Sequence, residues 1–172
     1  PEVLQLPDVV SDVMQMLRRL IGERIKLSVT HDRDLGPVRA DPSQLEQVIV
    51  NLAVNARDAM LSHKGAPGRP VTSRLTLATR RITSADVRAM RSEIIPMGDY
   101  TALIVEDTGA GIPPENLGKI FEPFFTNKDK GTGLGLAVAQ ELVTRNGGAI
   151  EFQSETGRTT FSILLPLEES LS

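Results

Sequence analysis

The sequence predicts an α+β fold, a two-layer sandwich of helices against a sheet. Helical patterns and alternating strand-like runs are mixed along the chain without strict βαβ order. The 172 residues suit one domain, read as residues 1–172. Hydrophobic residues make up 40% and charged residues 24%, which is enough apolar material for a packed core. Aromatics are only 3%, so that core should be aliphatic.

The elements follow in order. "PDVVSDVMQMLRRLIG" (7–22) has apolar residues near helical spacing and stops at Gly22, a C′ position. "RIKLSVT" (24–30) alternates as a half-buried strand, and "PVRA" (37–40) is a second short one. "DPSQLEQVIVNLAVNARDAM" (41–60) is the clearest helix, with Asp41 as N-cap and Pro42 in the first helical position. "SHKGAPGRP" (62–70) reads as a loop and "SRLTLATRRIT" (73–83) as a strand. "SADVRAM" (84–90) is a short helical insert, within a Thr83–Met97 stretch that otherwise has no assignment. "DYTALIVEDTG" (99–109) is a buried strand running into a glycine turn. "PENLGKIFEPFF" (114–125) gives a short helix broken at Pro123. "LGLAVAQELVTRNGG" (134–148) is a helix closed by Asn146-Gly147-Gly148. "AIEFQSE" and "TTFSILLP" close the chain as a hairpin of two strands.

Several classes fall away. A net charge of −3 does not fit a general nucleic-acid binder. With no cysteine there are no disulfides and no thiolate metal sites. His31 and His63 are distant in sequence and form no zinc pattern. No apolar run reaches membrane-spanning length and no signal peptide is present, so direct membrane insertion is not expected and a cytoplasmic location is. A chain starting at Pro1 rather than Met reads as a piece of something longer.

Three stretches could carry chemistry. In the 41–60 helix, Leu45, Val48, Ile49, Leu52, Ala56 and Ala59 form an apolar stripe. Gln47, Asn51, Asn55 and Asp58 share a neighbouring face. Stacked asparagines beside an apolar stripe either bond each other or a nearby loop, or serve a ligand. An amide oxygen can bind Mg²⁺, and an amide NH₂ can donate to phosphate. Arg57 lies about 200° round the helix from Asn55 and should face away. In "VEDTGAGIPP", a strand delivers Asp107 to its end ahead of Gly109 and Gly111. That is either an ordinary Asp-Gly turn or a carboxylate placed to accept from an exocyclic amine beside room for a flat ring. "GTGLGL" puts Gly131, Gly133 and Gly135 against a helix start, where backbone NH groups can approach phosphate. It is neither a Walker loop nor a good dinucleotide fingerprint. Thr126, Lys128, Lys130 and Thr132 add donors.

Taken together, the asparagine helix, the DxGxG, "IFEPFFTNK", GTGLGL and "GRTTFSILLP" resemble, in that order, the catalytic ATP-binding domain of bacterial sensor histidine kinases. This is the GHKL group shared with gyrase B, Hsp90 and MutL. "NLAVNARDAM" and "FEPFFTNK" are most similar to the NtrB-like and CckA-like kinases, many of them hybrids with a receiver domain. The resemblance implies the Bergerat fold, a mixed, mainly antiparallel sheet covered on one face by helices. It implies ATP (or ADP) and Mg²⁺ as cofactors. Gln44–Met60 match the N box, Asp107–Gly111 the G1 box, Phe121–Phe125 the F box and Gly131–Leu136 the G2 box. By that resemblance Asn55 would ligate Mg²⁺, and Asn51 would contact phosphate or the metal shell. Asp107 would take the adenine amine, Gly109 and Gly111 would shape the pocket, and Ile112 would pack near the base. Pro114–Lys130 would be an ATP lid anchored by Phe121, Phe124 and Phe125. Gly131, Gly133, Leu134 and Gly135 would put NH groups on the phosphates, with Thr126, Thr132 and Leu136 beside them. Thr159 would reach the adenine site.

Two departures matter. ATPases of the group carry a general-base Glu where this chain has Asn51, which favours phosphoryl transfer over hydrolysis. Many sensor kinases carry a cation where this chain has Asp58, so Lys128 becomes the substitute phosphate contact and Asp58 a member of the site. No histidine sits in an acceptor helix. His31 follows a strand-like run and should be a surface residue, so the phosphoaccepting dimerisation domain is expected to be absent from this chain. The expected partners are that histidine-bearing domain of the same kinase, which can be membrane-anchored, and a downstream receiver domain or phosphotransfer protein. The isolated domain should be monomeric. Two other readings stand beside it: a degenerate nucleotide-binding signalling module, and a GHKL ATPase or anti-sigma-type serine kinase. Tyr100, the only tyrosine, reads as a strand residue or, if exposed, as a surface on which a base could stack.

Overall fold

The computed structural model describes residues 1–62, 73–90, 95–108, 135–155 and 157–168. In chain order they form β1 (Glu2–Leu4), α1 (Leu6–Ile21), β2 (Lys26–His31), β3 (Val38–Ala40), α2 (Pro42–Ser62), β4 (Arg74–Ile82), α3 (Ser84–Met90), β5 (Tyr100–Asp107), α4 (Gly135–Arg145), β6 (Ala149–Glu155) and β7 (Arg158–Pro166). Five strands build one sheet in the order β2-β4-β5-β7-β6. The β2–β4 pair is parallel and the other three pairs are antiparallel. The sheet is therefore mixed and mainly antiparallel, as expected.

Alternation along the strands decides the layers. Leu75 and Leu77 of β4, Leu103 and Val105 of β5, and Phe161, Ile163 and Leu165 of β7 point into the core shared with α1, α2 and α4. Ala102 and Leu164 point the other way. There they meet Val87 of α3, Ile95 and Tyr100 in a smaller cluster. The three long helices thus cover one face, and the expected short helix at 84–90, as α3, lies with Ile95 against part of the opposite face. Tyr100 is buried in this second cluster and its hydroxyl donates to the Pro96 carbonyl at 2.6 Å, which settles it as a strand residue. Burial pushes its phenol pKa up.

Helix α2 begins where its cap requires. Asp41 Oδ1 accepts from the backbone NH groups of Ser43 (2.9 Å) and Gln44 (3.3 Å) and from the Ser43 hydroxyl (2.7 Å). Of the predicted stripe, Leu45, Val48, Ile49, Leu52 and Ala56 are buried and Ala59 is half-buried, while Ala53 and Met60 join the core-facing side. Helix α4 ends as its glycines predict. Gly147 adopts φ 76°, its NH bonds the Thr144 carbonyl, and the Gly148 NH bonds the Val143 carbonyl, the two bonds of a Schellman motif. Gly148 lies hard against β7: a Cβ there would stand 2.6 Å from the Leu164 carbonyl oxygen.

Some boundaries differ. Strand β1 pairs antiparallel with β3 and was not expected, because three residues carry no readable alternation. Helix α1 starts at Leu6, β2 at Lys26, and α2 runs on to Ser62, into what reads by composition as a loop. The expected 114–125 helix lies outside the described residues. No helix among the described residues is long and apolar enough to cross a membrane.

Two outcomes follow from this packing. Gly148→Ala should cost about 1–3 kcal/mol, because the backbone it meets cannot move aside, and chemical denaturation reads this directly. The Ser43 hydroxyl, then the Gln44 and Ser43 NH groups, hold the Asp41 carboxyl below the usual carboxylate range. A lowered folded pKa makes the cap's contribution fully present above the unfolded value of about 3.9, and lost as pH falls through the folded value. Asp41→Ala should therefore lower the thermal midpoint at neutral pH, with the gap to the parent chain narrowing below about pH 4.

Candidate functional site

The apolar run of β5 ends on Glu106 and Asp107. Asp107 faces the helices, on the side of Leu103 and Val105, and is only 2% exposed. Register extends a row across four strands: Leu75 pairs with Asp107, Asp107 with Thr159, and Thr159 with Ser154. Thr159 is also buried, and its Oγ1 lies 3.2 Å from Ser154 Oγ. A carboxylate and a hydroxyl buried at the end of an apolar sheet are costly unless satisfied. Among the described residues no buried side-chain nitrogen or oxygen lacks a hydrogen-bond partner, so this polar floor is held in place.

Helix α2 forms the wall above it. Gln47, Asn51, Asn55 and Asp58 lie along its partly exposed side, as their spacing predicts. Gln47 Nε2 donates to Asn51 Oδ1 at 2.6 Å, and Asn51 Nδ2 donates to the Gly135 carbonyl at 3.1 Å. Asn51 therefore ties α2 to the first residue of α4. Asn55 sits one turn further along, past the α4 N-terminus and toward the Asp107 end of the sheet. Thr108 closes that end. Its hydroxyl donates to Met60 Sδ at 3.7 Å and accepts from the Arg74 NH at 3.0 Å. Leu136, in the first turn of α4, packs partly buried against the core.

Arg57 turns away from the asparagines, as its angular position requires, and donates to the Leu20 carbonyl of α1 at 2.9 Å. The side chain is long enough to bridge back as well. Its Nε and Nη2 lie 3.3 and 3.1 Å from Asp58 Oδ1. The negative charge of Asp58 is thus partly balanced within α2.

Metal binding can be judged from donor chemistry. Among the described residues no cluster of three or more His, Asp or Glu side chains could cage a cation. The asparagine face offers amide oxygens. Mg²⁺ commonly keeps several waters and takes one or two protein oxygens plus substrate phosphates, and a single Asn55 oxygen fits that mode.

Asn51, Asn55 and Asp58 share one partly exposed side of α2, Asn51 bonds Gly135 beside Leu136 at the start of α4, and Asp107 pairs with Thr159 at one end of the sheet, three elements that bound a wedge. Gly109, Gly111, Ile112, Phe121, Phe124, Phe125, Thr126, Lys128, Lys130, Gly131, Thr132, Gly133 and Leu134 lie outside the described residues. So does His63. His31 is exposed, as expected, with Nδ1 2.7 Å from Thr79 Oγ1, and it forms the last residue of β2, which runs one residue past the expected strand. Sequence reasoning missed Ser154, whose place beside Thr159 needs the hairpin register. It gave Gln47 no role. It also read Asn146 only as a helix end. Asn146 Oδ1 in fact accepts from the Asp41 NH at 2.8 Å, and its Nδ2 donates to Gln44 Oε1 at 2.9 Å.

The profile of the family described as "Histidine kinase-, DNA gyrase B-, and HSP90-like ATPase" matches residues 40–169. The chain is 50% identical over 169 residues to the sensor kinase CckA of Brucella abortus (strain 2308), covering 96% of this chain and 17% of that protein. It is 35% identical over 170 residues to the sensory histidine kinase/phosphatase NtrB of Rhizobium meliloti (strain 1021), covering 98% of this chain and 42% of that protein. It therefore spans less than half the length of either relative. The solved mycobacterial sensor histidine kinase MprB matches with a TM-score of 0.74 at 24% identity, over 98% of this chain and 100% of that one, which speaks for the fold. Sheet order and sequence kinship converge, and the chain belongs to the histidine kinase-, DNA gyrase B- and HSP90-like ATPase family.

Proposed function

We propose that this chain binds ATP with Mg²⁺ and donates the γ-phosphoryl group to a histidine on a separate dimerisation domain. The observation that carries the reading is the pairing of two polar elements across one wedge. The buried Asp107–Thr159 floor lies at one end, and Asn55 stands one turn past the α4 N-terminus. Asp107 accepts from the adenine amine, with Thr159 beside it. The amide oxygen of Asn55 holds the cation, and the first turn of α4 from Gly135 turns its NH groups to the phosphates. Bound Mg²⁺ supplies charge neutralisation across the phosphates. Gly109, Gly111, Ile112, a lid at about 114–130 carrying Phe121 and Phe125, and Thr126, Lys128, Gly131, Thr132, Gly133 and Leu134 complete the pocket in this proposal.

In the transfer, a neutral imidazole nitrogen of the acceptor attacks the γ-phosphorus. A nitrogen–phosphorus bond forms, the bond from the γ-phosphorus to the β,γ-bridging oxygen breaks, and ADP leaves with that electron pair. Water is a poor competitor because Asn51 offers no carboxylate to activate it, and both ends of its amide are engaged. This favours a kinase over a freely turning ATPase. The partners in this reading are the histidine-bearing domain of the same kinase and a downstream receiver domain or phosphotransfer protein, in the cytoplasm, with the chain itself monomeric and taking up neither nucleic acid nor membrane.

Asn55→Ala should weaken Mg²⁺-dependent binding of an ATP analogue about tenfold or more while leaving the unfolding midpoint near that of the parent, since Asn55 flanks the core. Unchanged affinity by titration would remove Asn55 from the site. Asp107→Asn should reduce ATP affinity far more than stability. Equal losses in binding and in denaturation would make Asp107 a structural carboxylate instead.

A further inference from the structure

Gln47 is exposed, so nothing in core packing requires a glutamine there. An isolated side-chain pair four apart on a helix contributes only about 0.2–0.5 kcal/mol. This pair is different because it is chained to a third group whose polarity is fixed. The Gly135 carbonyl can only accept, so Asn51 must present its NH₂ to it. That leaves Asn51 Oδ1 facing Gln47, and Gln47 must then donate. Only one orientation of both amides satisfies the chain. At the other end of the same helix pair, Asn146 already joins α4 to Asp41 and Gln44. What depends on Gln47 is therefore the end of α4 that faces the wedge.

We propose that Gln47 is a positioning residue for the nucleotide site: it fixes the Asn51 amide, and through it the first turn of α4. The proposal rests on the nucleotide reading above. Two variants separate geometry from charge. Gln47→Met removes the donor without adding charge, and Gln47→Glu keeps the shape but replaces the donor with an acceptor. Both lie on an exposed helix face and should lower the thermal midpoint by no more than a few degrees, the loss of one hydrogen bond.

The test has two readouts on the full chain. Amide exchange without nucleotide is followed at Ala139, whose helical acceptor is the Gly135 carbonyl. Affinity for a non-hydrolysable ATP analogue is measured with Mg²⁺. Faster exchange at Ala139 in both variants, with dissociation constants raised about fivefold, is the expected result. Unchanged exchange, or a loss of affinity confined to Gln47→Glu, overturns the proposal. A parent chain that binds while both variants match it overturns this proposal alone. A parent chain that binds no analogue overturns the nucleotide reading and this proposal with it.

Discussion

Helices α2 and α4 run antiparallel over the sheet, and the wedge exists only while that pair keeps its register. Burial supplies most of the attraction. Ile49, Leu52 and Ala53 of α2 and Ala139 and Val143 of α4 are almost fully buried in one cluster, and a fully buried aliphatic side chain contributes about 1.5–3 kcal/mol. Apolar contact is non-directional, though, and would tolerate sliding. The register is set by polar pins of about 1 kcal/mol each. Asn146 grips the capped start of α2 at one end, and the Gln47–Asn51–Gly135 chain grips the start of α4 at the other. Apolar burial holds the two helices together, and the weaker polar pins decide where they stop.

The sheet makes the complementary contribution. Strand β5 lies at its centre, apolar from Ala102 to Val105 before its last two residues. At that point the helix-facing layer turns from hydrocarbon to the buried carboxyl and hydroxyl of Asp107 and Thr159. This end of the sheet meets the C-terminal part of α2 through the Thr108 hydroxyl and Met60. The second small cluster on the opposite face, with Tyr100 and α3, braces β5 from behind at the far end and leaves the polar end clear.

What could be read in advance divides along physical lines. Local signals were legible: the Asp41-Pro42 cap, the stripe from Leu45 to Ala56, the Gly147 ending and the run into Asp107 are all written within a few residues of one another. Long-range pairing was not. Nothing near β2 tells that it lies parallel to β4, and β1 is too short to alternate. The asparagine face of α2 was visible from its spacing. That Asn51 would reach α4, or that Ser154 would stand beside Thr159, depends on how helices cross and hairpins register. The glycine-rich and phenylalanine-rich stretches between residues 109 and 134 lie outside the described residues, and their roles rest on resemblance and kinship.

The most direct measurement is a calorimetric titration of the chain with a non-hydrolysable ATP analogue, with and without Mg²⁺. The account predicts saturable one-to-one binding that strengthens when Mg²⁺ is present. No binding at millimolar nucleotide, or binding indifferent to Mg²⁺, would contradict it.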